Sequence, residues 1–198
     1  MSKGCKMNES YNIKELSVVR EYFSHNIRTS AAMVVATVMV FKCGLGDDVD
    51  NMSDIISESA YFLDVYGKGM EVMFDFVLGQ PIETATEEIE PSKLINHFMA
   101  KVPLTISEQG INFSLNTDDF KIKTNGHIVK NLIEIILCEE ARKSNGNITI
   151  TGKNGLYTIS RENPVEVPSI FALLVRLFAK LSIEFSCGEK QLQMRFPQ

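Results

Sequence analysis

Two very long amphipathic helices in immediate succession constrain this chain more than any other feature. Leu16, Val19, Phe23, Ile27, Ser30, Val34, Val38 and Phe41 recur at steps of three and four. That spacing is the stripe of one helix. It is predicted from about Asn12 to Cys43, on the order of 50 Å long at ~1.5 Å per residue, with Gly44 and Gly46 as its expected stops. Asp47, Asp48 and Asp50 then supply N-cap and first-turn acidic signals. The second helix carries Met52, Ile55, Ile56, Phe62, Leu63, Tyr66, Met70, Met73, Phe74 and Val77, and is expected to end near Gly79, with Pro81 beyond. The connection is short, so the pair reads as an antiparallel hairpin. Alone, such a hairpin cannot bury both stripes. Pairing with a second copy would give a four-helix bundle about a two-fold axis, and a homodimer is expected.

The pattern changes at Glu83–Pro91 (ETATEEIEP), a polar acidic stretch read as a linker. Beyond it comes a helix over Ser92–Ala100. Strands at Ile111–Leu115 and Phe120–Thr124 follow, joined by the turn-like Asn116-Thr117-Asp118-Asp119. A helix from about Gly126 to Lys143 precedes a hairpin of NITITG (147–152) and LYTISR (156–161) across Asn154-Gly155. A helix over Ser169–Leu181 and two strands, IEFSC and KQLQMRF, close the chain. The expected class is α+β, with a hairpin domain over 1–82, a linker over 83–91 and a sheet-and-helix sandwich over 92–198.

Composition excludes several function classes. A net charge of −5, with no run of five or more Lys or Arg, argues against nucleic acid as a partner. The four cysteines form no CxxC, so neither a zinc ribbon nor a thioredoxin-type motif is expected; they read as reduced thiols, Cys138 and Cys187 buried. The polar start lacks a secretory apolar region. The most apolar stretch, Ala31–Phe41, is shorter than the roughly 20 residues of a membrane span. No membrane association is expected, and the location is read as cytoplasmic.

On the first helix, His25 lies two residues from Phe23. Two helical steps of ~100° turn it away from the apolar stripe. Arg28 and Thr29, at i+3 and i+4, share its face. Read alone, His25 is an ordinary solvated histidine. A neutral imidazole is also a good nucleophile near neutral pH and can accept a phosphoryl group. Arg28 could neutralise the phosphoryl oxygens, and Thr29 could hydrogen-bond them or position water.

These residues carry a resemblance. Ser24-His25-Asn26-Ile27-Arg28-Thr29 resembles the phosphoacceptor box S-H-E-L-R-T-P of two-component sensor histidine kinases, placed midway along the first helix of a hairpin as in that family. Gln109-Gly110-Ile111 resembles the start of the kinase ATPase-like domain. His127–Ser144 with Gly146–Ile150 resembles the helix and strand around its N box. Ile170–Leu181 and the strands ending in Phe196-Pro197 resemble its last helix and final hairpin. The resemblance implies a dimeric phosphoacceptor hairpin followed by an ATPase-like α/β sandwich.

The departures bear on activity. The family's acid after the histidine, the base for autophosphorylation, is replaced here by Asn26, which cannot accept a proton. The N-box asparagine positions hold Ile136 and Glu140. In place of D-x-G-x-G the chain reads Arg161-Glu162-Asn163-Pro164-Val165, and the glycine-rich ATP lid is missing. A phosphate cradle needs backbone amides in close approach, which glycine normally permits. The implied product is a degenerate ATPase-like domain that binds no nucleotide. What survives resembles the phosphorelay histidine phosphotransferases. His25 would accept phosphate from one receiver aspartate and pass it to another, with Mg²⁺ supplied by the receiver and no cofactor of its own. Tyr22 and Asn26 would line the docking surface. A catalytically silent pseudokinase that binds a receiver or a sensor kinase remains the alternative. A phosphatase, which would need the missing acid beside Thr29, and a weak autokinase rank lower.

Other residues have plain readings. His97 and His127 lack ligand-spaced neighbours, so no metal site is expected. Met52, Met70 and Met73 read as core filling. Glu139-Glu140 reads as a solvated helix face.

Overall fold

The computed structural model describes residues 9–44, 49–81, 86–117 and 121–197. The expected stops and caps at Gly46, Asp47 and Asp48, residues 83–85 of the expected linker, and Asp118–Phe120 lie outside the described residues.

Helices α1 (Glu9–Lys42) and α2 (Val49–Val77) pack as the expected hairpin. Gly44 and Gly79 adopt left-handed backbone, φ 64° and 72°, just past the two helix ends, where only glycine does so without strain. The stripe residues Val19 and Phe23 meet Phe62, Val65, Tyr66 and Met73 of α2 in one continuous core. Ser30 and Thr37 are also buried there. Thr37 satisfies its hydroxyl by donating to the carbonyl of Met33, 2.9 Å away.

After the hairpin come β1 (Glu87–Ile89), α3 (Pro91–Lys101), α4 (Pro103–Glu108), β2 (Ile111–Thr117), β3 (Ile122–Thr124) and α5 (Gly126–Lys143). Then follow β4 (Gly146–Lys153), β5 (Leu156–Arg161), α6 (Phe171–Lys180), β6 (Glu184–Cys187) and β7 (Gln191–Arg195). The main sheet has the order β2-β4-β5-β7-β6, with β2 parallel to β4 and the other pairs antiparallel. The β4–β5 hairpin turns at Asn154 and Gly155, both at positive φ as a two-residue primed turn requires.

The structure departs from the local expectations in three places. The strands at 111–115 and 120–124 do not form a hairpin. β3 pairs with β1 in a small separate sheet, whereas β2 pairs with β4. Alternation in a short segment reveals a strand but not its partner. Part of the expected linker, Glu87–Ile89, is itself a strand, and α4 was not anticipated. Helix α4 is a single short segment, and a carboxylate from another helix fixes its N-terminus. Glu58 of α2 accepts from the Thr105 backbone amide at 3.1 Å and from the Thr105 hydroxyl at 2.8 Å.

Helix α5 is the central element. Asn125 caps it by accepting from the Ile128 amide at 3.2 Å. Every residue from Asn131 to Ala141 is buried, with α2 packed on one side and β5 reached on the other. Gly69 of α2 permits the close approach. A Cβ there would stand 2.4 Å from Ile135 Cδ1 and 2.9 Å from Phe23 Cε1. Gly69→Val is therefore expected to lower the unfolding free energy by about 1–3 kcal/mol through overpacking. Urea unfolding followed by circular dichroism measures it; an unchanged midpoint would mean that α1, α2 and α5 do not meet there.

Candidate functional site

His25 is exposed, on the α1 face that the helical step from Phe23 dictates. Arg28, one turn on, is exposed as well, and Thr29 is half-buried. The Thr29 hydroxyl donates to the backbone carbonyl of His25 at 3.0 Å, so in this state it bonds its own helix. Tyr22 and Asn26, expected at a partner surface, turn toward α5. Asn26 is buried, and its Oδ1 accepts from Arg142 Nη1 at 2.8 Å. The Tyr22 hydroxyl donates to Glu139 Oε1 at 2.7 Å.

The residues three before and one after His25 are thus held by two residues one turn apart on α5. The same two side chains reach α2. Glu139 Oε1 also accepts from the Tyr66 hydroxyl at 3.4 Å, and Arg142 Nη1 donates to the Tyr66 hydroxyl oxygen at 3.3 Å. The Arg142 guanidinium lies 5.8 Å from the ring centres of both Phe62 and Tyr66, in cation–π range. Lys143 completes the group, pairing with Glu139 Oε2 at 2.9 Å. Burial, reinforced by the Glu139 carboxylate, pushes the Tyr22 phenol well above its ordinary range. Burial does the same to Tyr66. Both remain proton donors to Glu139. One turn earlier, the Tyr61 hydroxyl of α2 donates to Glu134 at 3.2 Å, and burial raises that carboxyl. Between α1 and α5 opens a cleft of about 540 Å³, bordered by Tyr22, His25, Asn26, Glu139, Arg142 and Lys143.

A second cluster lies on the sheet side of α5. Glu139 and Glu140 are not a solvated face: their side chains are 3% and 2% exposed. Glu140 accepts from two of the three guanidinium nitrogens of Arg161, Nε to Oε2 at 2.6 Å and Nη2 to Oε1 at 2.5 Å. Arg161 Nη1 donates further to the carbonyls of Gly188 at 2.8 Å and Glu189 at 2.7 Å. Glu140 and Arg161 are the positions that the family resemblance aligns with an N-box asparagine and with the aspartate of the next box. They satisfy one another in the interior. The sequence carried the signal for the burial of Arg161: Tyr157, Ile159 and Arg161 share one face of a strand, and that face is the buried one.

Cys138 is buried as expected, with its thiol raised by burial; Cys187 is only partly buried. His97 and His127 are both exposed. Among the described residues, no group of three His, Cys, Asp or Glu could hold a metal ion. No helix among them is long and apolar enough to cross a membrane.

No family model matches the chain, and no curated protein matches it. Solved structures do. The Acinetobacter baumannii histidine kinase AdeS overlays with a TM-score of 0.56 at 9% identity, covering 87% of this chain and 96% of that one. The cytoplasmic segment of histidine kinase QseC overlays with a TM-score of 0.54 at 13% identity, covering 78% and 99%. At these identities the overlays speak to the fold. The chain has the architecture of a histidine kinase helical hairpin joined to its ATPase-like domain.

Removing one partner of the buried pair leaves an uncompensated charge. Arg161→Met is expected to cost about 3–5 kcal/mol, and Glu140→Leu combined with Arg161→Met to recover most of it. Denaturant midpoints of the single and double variants measure the coupling. Additive losses would show that the two side chains act independently.

Proposed function

We propose that this chain is a histidine phosphotransferase of a bacterial phosphorelay. It would accept a phosphoryl group from a receiver aspartate on His25 and pass it to a second receiver, without using ATP. The observation that carries the reading is the contrast between two sites. His25 stands exposed at the mouth of a cleft, while the positions where a kinase would hold nucleotide are occupied by the buried Glu140–Arg161 pair. A guanidinium bound to a carboxylate and two carbonyls leaves neither an amide oxygen for the Mg²⁺ of a nucleotide nor a free carboxylate for adenine. The residues present do not fit the nucleotide.

The chemistry asked of the chain is modest. A neutral nitrogen of His25 attacks the phosphorus of a receiver phospho-aspartate in line with the leaving oxygen. The P–N bond forms as the P–O bond to aspartate breaks, and the ring proton is released to solvent. The receiver brings the Mg²⁺ that steadies the charge. This chain supplies position and an accessible imidazole. Arg28 and Thr29 border the transferred group, and Tyr22 forms the wall of the cleft that the receiver meets. Residues 1–82 would form the dimerising unit and residues 92–198 a docking platform.

The second half of α1 supports the homodimer. Met33, Val35, Met39, Val40 and Phe41 are all exposed in the single chain, the last at 57%. An apolar stretch of this length is normally covered. Light scattering is expected to give twice the chain mass at micromolar concentration; a monomer would remove the bundle from this reading.

The same apolar surface would also serve a chain that only binds a receiver, and one experiment separates the two readings. Phosphorylated receiver domains of the same organism are offered to the wild type and to His25→Ala. Acid-labile, alkali-stable label on the wild type alone is the expected result. Binding without label on either would favour the silent scaffold. Titration with ATP is expected to show no saturable binding at millimolar nucleotide, and saturable binding would reopen the autokinase reading.

A further inference from the structure

A phosphoryl group on His25, the role on which this inference rests, carries nearly two negative charges at neutral pH. It would arrive at a cleft that already holds the carboxylates of Glu21 on α1 and Glu139 on α5. The charged groups that line the cleft are Glu21 from α1, and Glu139, Arg142 and Lys143 from α5; Tyr22 and, before α6, Ser169 add neutral hydroxyls, and Arg28 is exposed on α1 outside the cleft. Arg28 projects about 60° round α1 from His25, on the side opposite Tyr22 and Asn26. It can reach the phosphoryl group only from the side away from α5. On the α5 side, Arg142 is committed to Asn26 and Tyr66 and lies over two aromatic rings.

Lys143 differs. Its side chain is 44% exposed, it borders the cleft, and its ammonium pairs with Glu139 Oε2. Glu139 does not depend on it alone, since Oε1 accepts from both Tyr22 and Tyr66. An ammonium on a flexible four-carbon stem is a mobile point charge. We propose that Lys143 is a phosphoryl-contacting residue: when His25 is phosphorylated, its ammonium moves from Glu139 to the phosphoryl oxygens. Arg28 and Lys143 then hold the group from its two sides, one from each half of the chain. The two tyrosine hydroxyls keep Glu139 hydrogen-bonded while the lysine is away.

The test uses the full chain and a small donor, so that it does not depend on finding a receiver. Phosphoramidate transfers its phosphoryl group to the His25 nitrogen: its P–N bond breaks as the new one forms, and the ring proton leaves with the ammonia. Phosphorus NMR then follows the last ionisation of the phosphohistidine. A neighbouring ammonium holds that ionisation down. In Lys143→Ala its midpoint is expected to rise by roughly one unit, and Lys143→Arg to restore it. Glu139→Gln is expected to leave the midpoint at or below the wild-type value, because it removes a negative charge and frees the lysine. A Lys143→Ala midpoint equal to wild type would overturn the proposal. So would a rise of the same size in Glu139→Gln, which would make the lysine only a support for Glu139. Loading by phosphoramidate with the expected shifts, but no transfer from any receiver, would overturn the relay reading and leave Lys143 in its role. A chain that phosphoramidate cannot load at His25 would overturn both.

Discussion

The side chains that flank His25, Tyr22 and Asn26, are held by α5, a helix with no solvated face between Asn131 and Ala141. A helix buried all round is ordinarily apolar, yet this one carries Glu134, Glu139 and Glu140 inside. Each carboxylate must find donors or cost several kcal/mol. Each does so on neighbouring elements: Glu134 on Tyr61 of α2, Glu139 on Tyr22 of α1 and Tyr66 of α2, and Glu140 on Arg161 of β5. The polar bonds therefore do what apolar contact alone does not. They fix the register of α5 against both the hairpin and the sheet. A slide of one residue would strand every carboxylate at once. Arg142 then extends the same logic to Asn26, the residue beside His25.

That arrangement bears on which chemistry the chain can support. An enzyme that phosphorylates its own histidine must bring a nucleotide held on one domain to a side chain on the other. Here the charges of the sheet side are bound to one another at Glu140–Arg161, and the hairpin side is tied to α5 through Tyr22 and Asn26. On the proposed reading neither tie needs to break, since the phosphoryl group arrives and leaves with receivers that approach the exposed face of α1. A fixed cleft suits transfer, where position is most of what the acceptor contributes.

The sequence carried the long-range plan better than the local polar detail. The α1 stripe, the glycine stops and the strand alternation are periodic or stereochemical signals, and the hairpin, α5 and the main β-strands follow them. His25 was legible because a single helical angle places it outward. The same angle puts Asn26 a further ~100° round, toward the core, but a polar residue beside a functional one invites an outward assignment. Glu139-Glu140 was misread for a related reason. Two adjacent acids are usually solvated, and only their distant partners make burial affordable. Arg161 stood in phase with Tyr157 and Ile159, so its burial could be deduced from parity. Its partner could not, because pairing between strand and helix is a tertiary fact. The β1–β3 ladder was illegible for the same reason: three-residue strands hold too little pattern to name a neighbour.

The hairpin beyond His25 shows the complementary constraint. From Ala31 to Phe41, α1 is apolar on nearly every face, with Thr37 as its one hydroxyl, and α2 covers only one side. Upstream of that stretch, α1 is secured by its own chain, through Tyr22 and Asn26 to α5. Downstream, Met33, Val35, Met39, Val40 and Phe41 are exposed among the described residues, and this is the surface that the proposed second copy would cover. His25 sits near the boundary between the two regimes. A histidine deep in the self-packed half would be closed in by α5, and one in the apolar half would be covered by whatever buries that surface. At the boundary, one side of α1 is anchored and the other stays open. That is the geometry a phosphoacceptor needs if it is to be rigidly held and still reached by two successive partners.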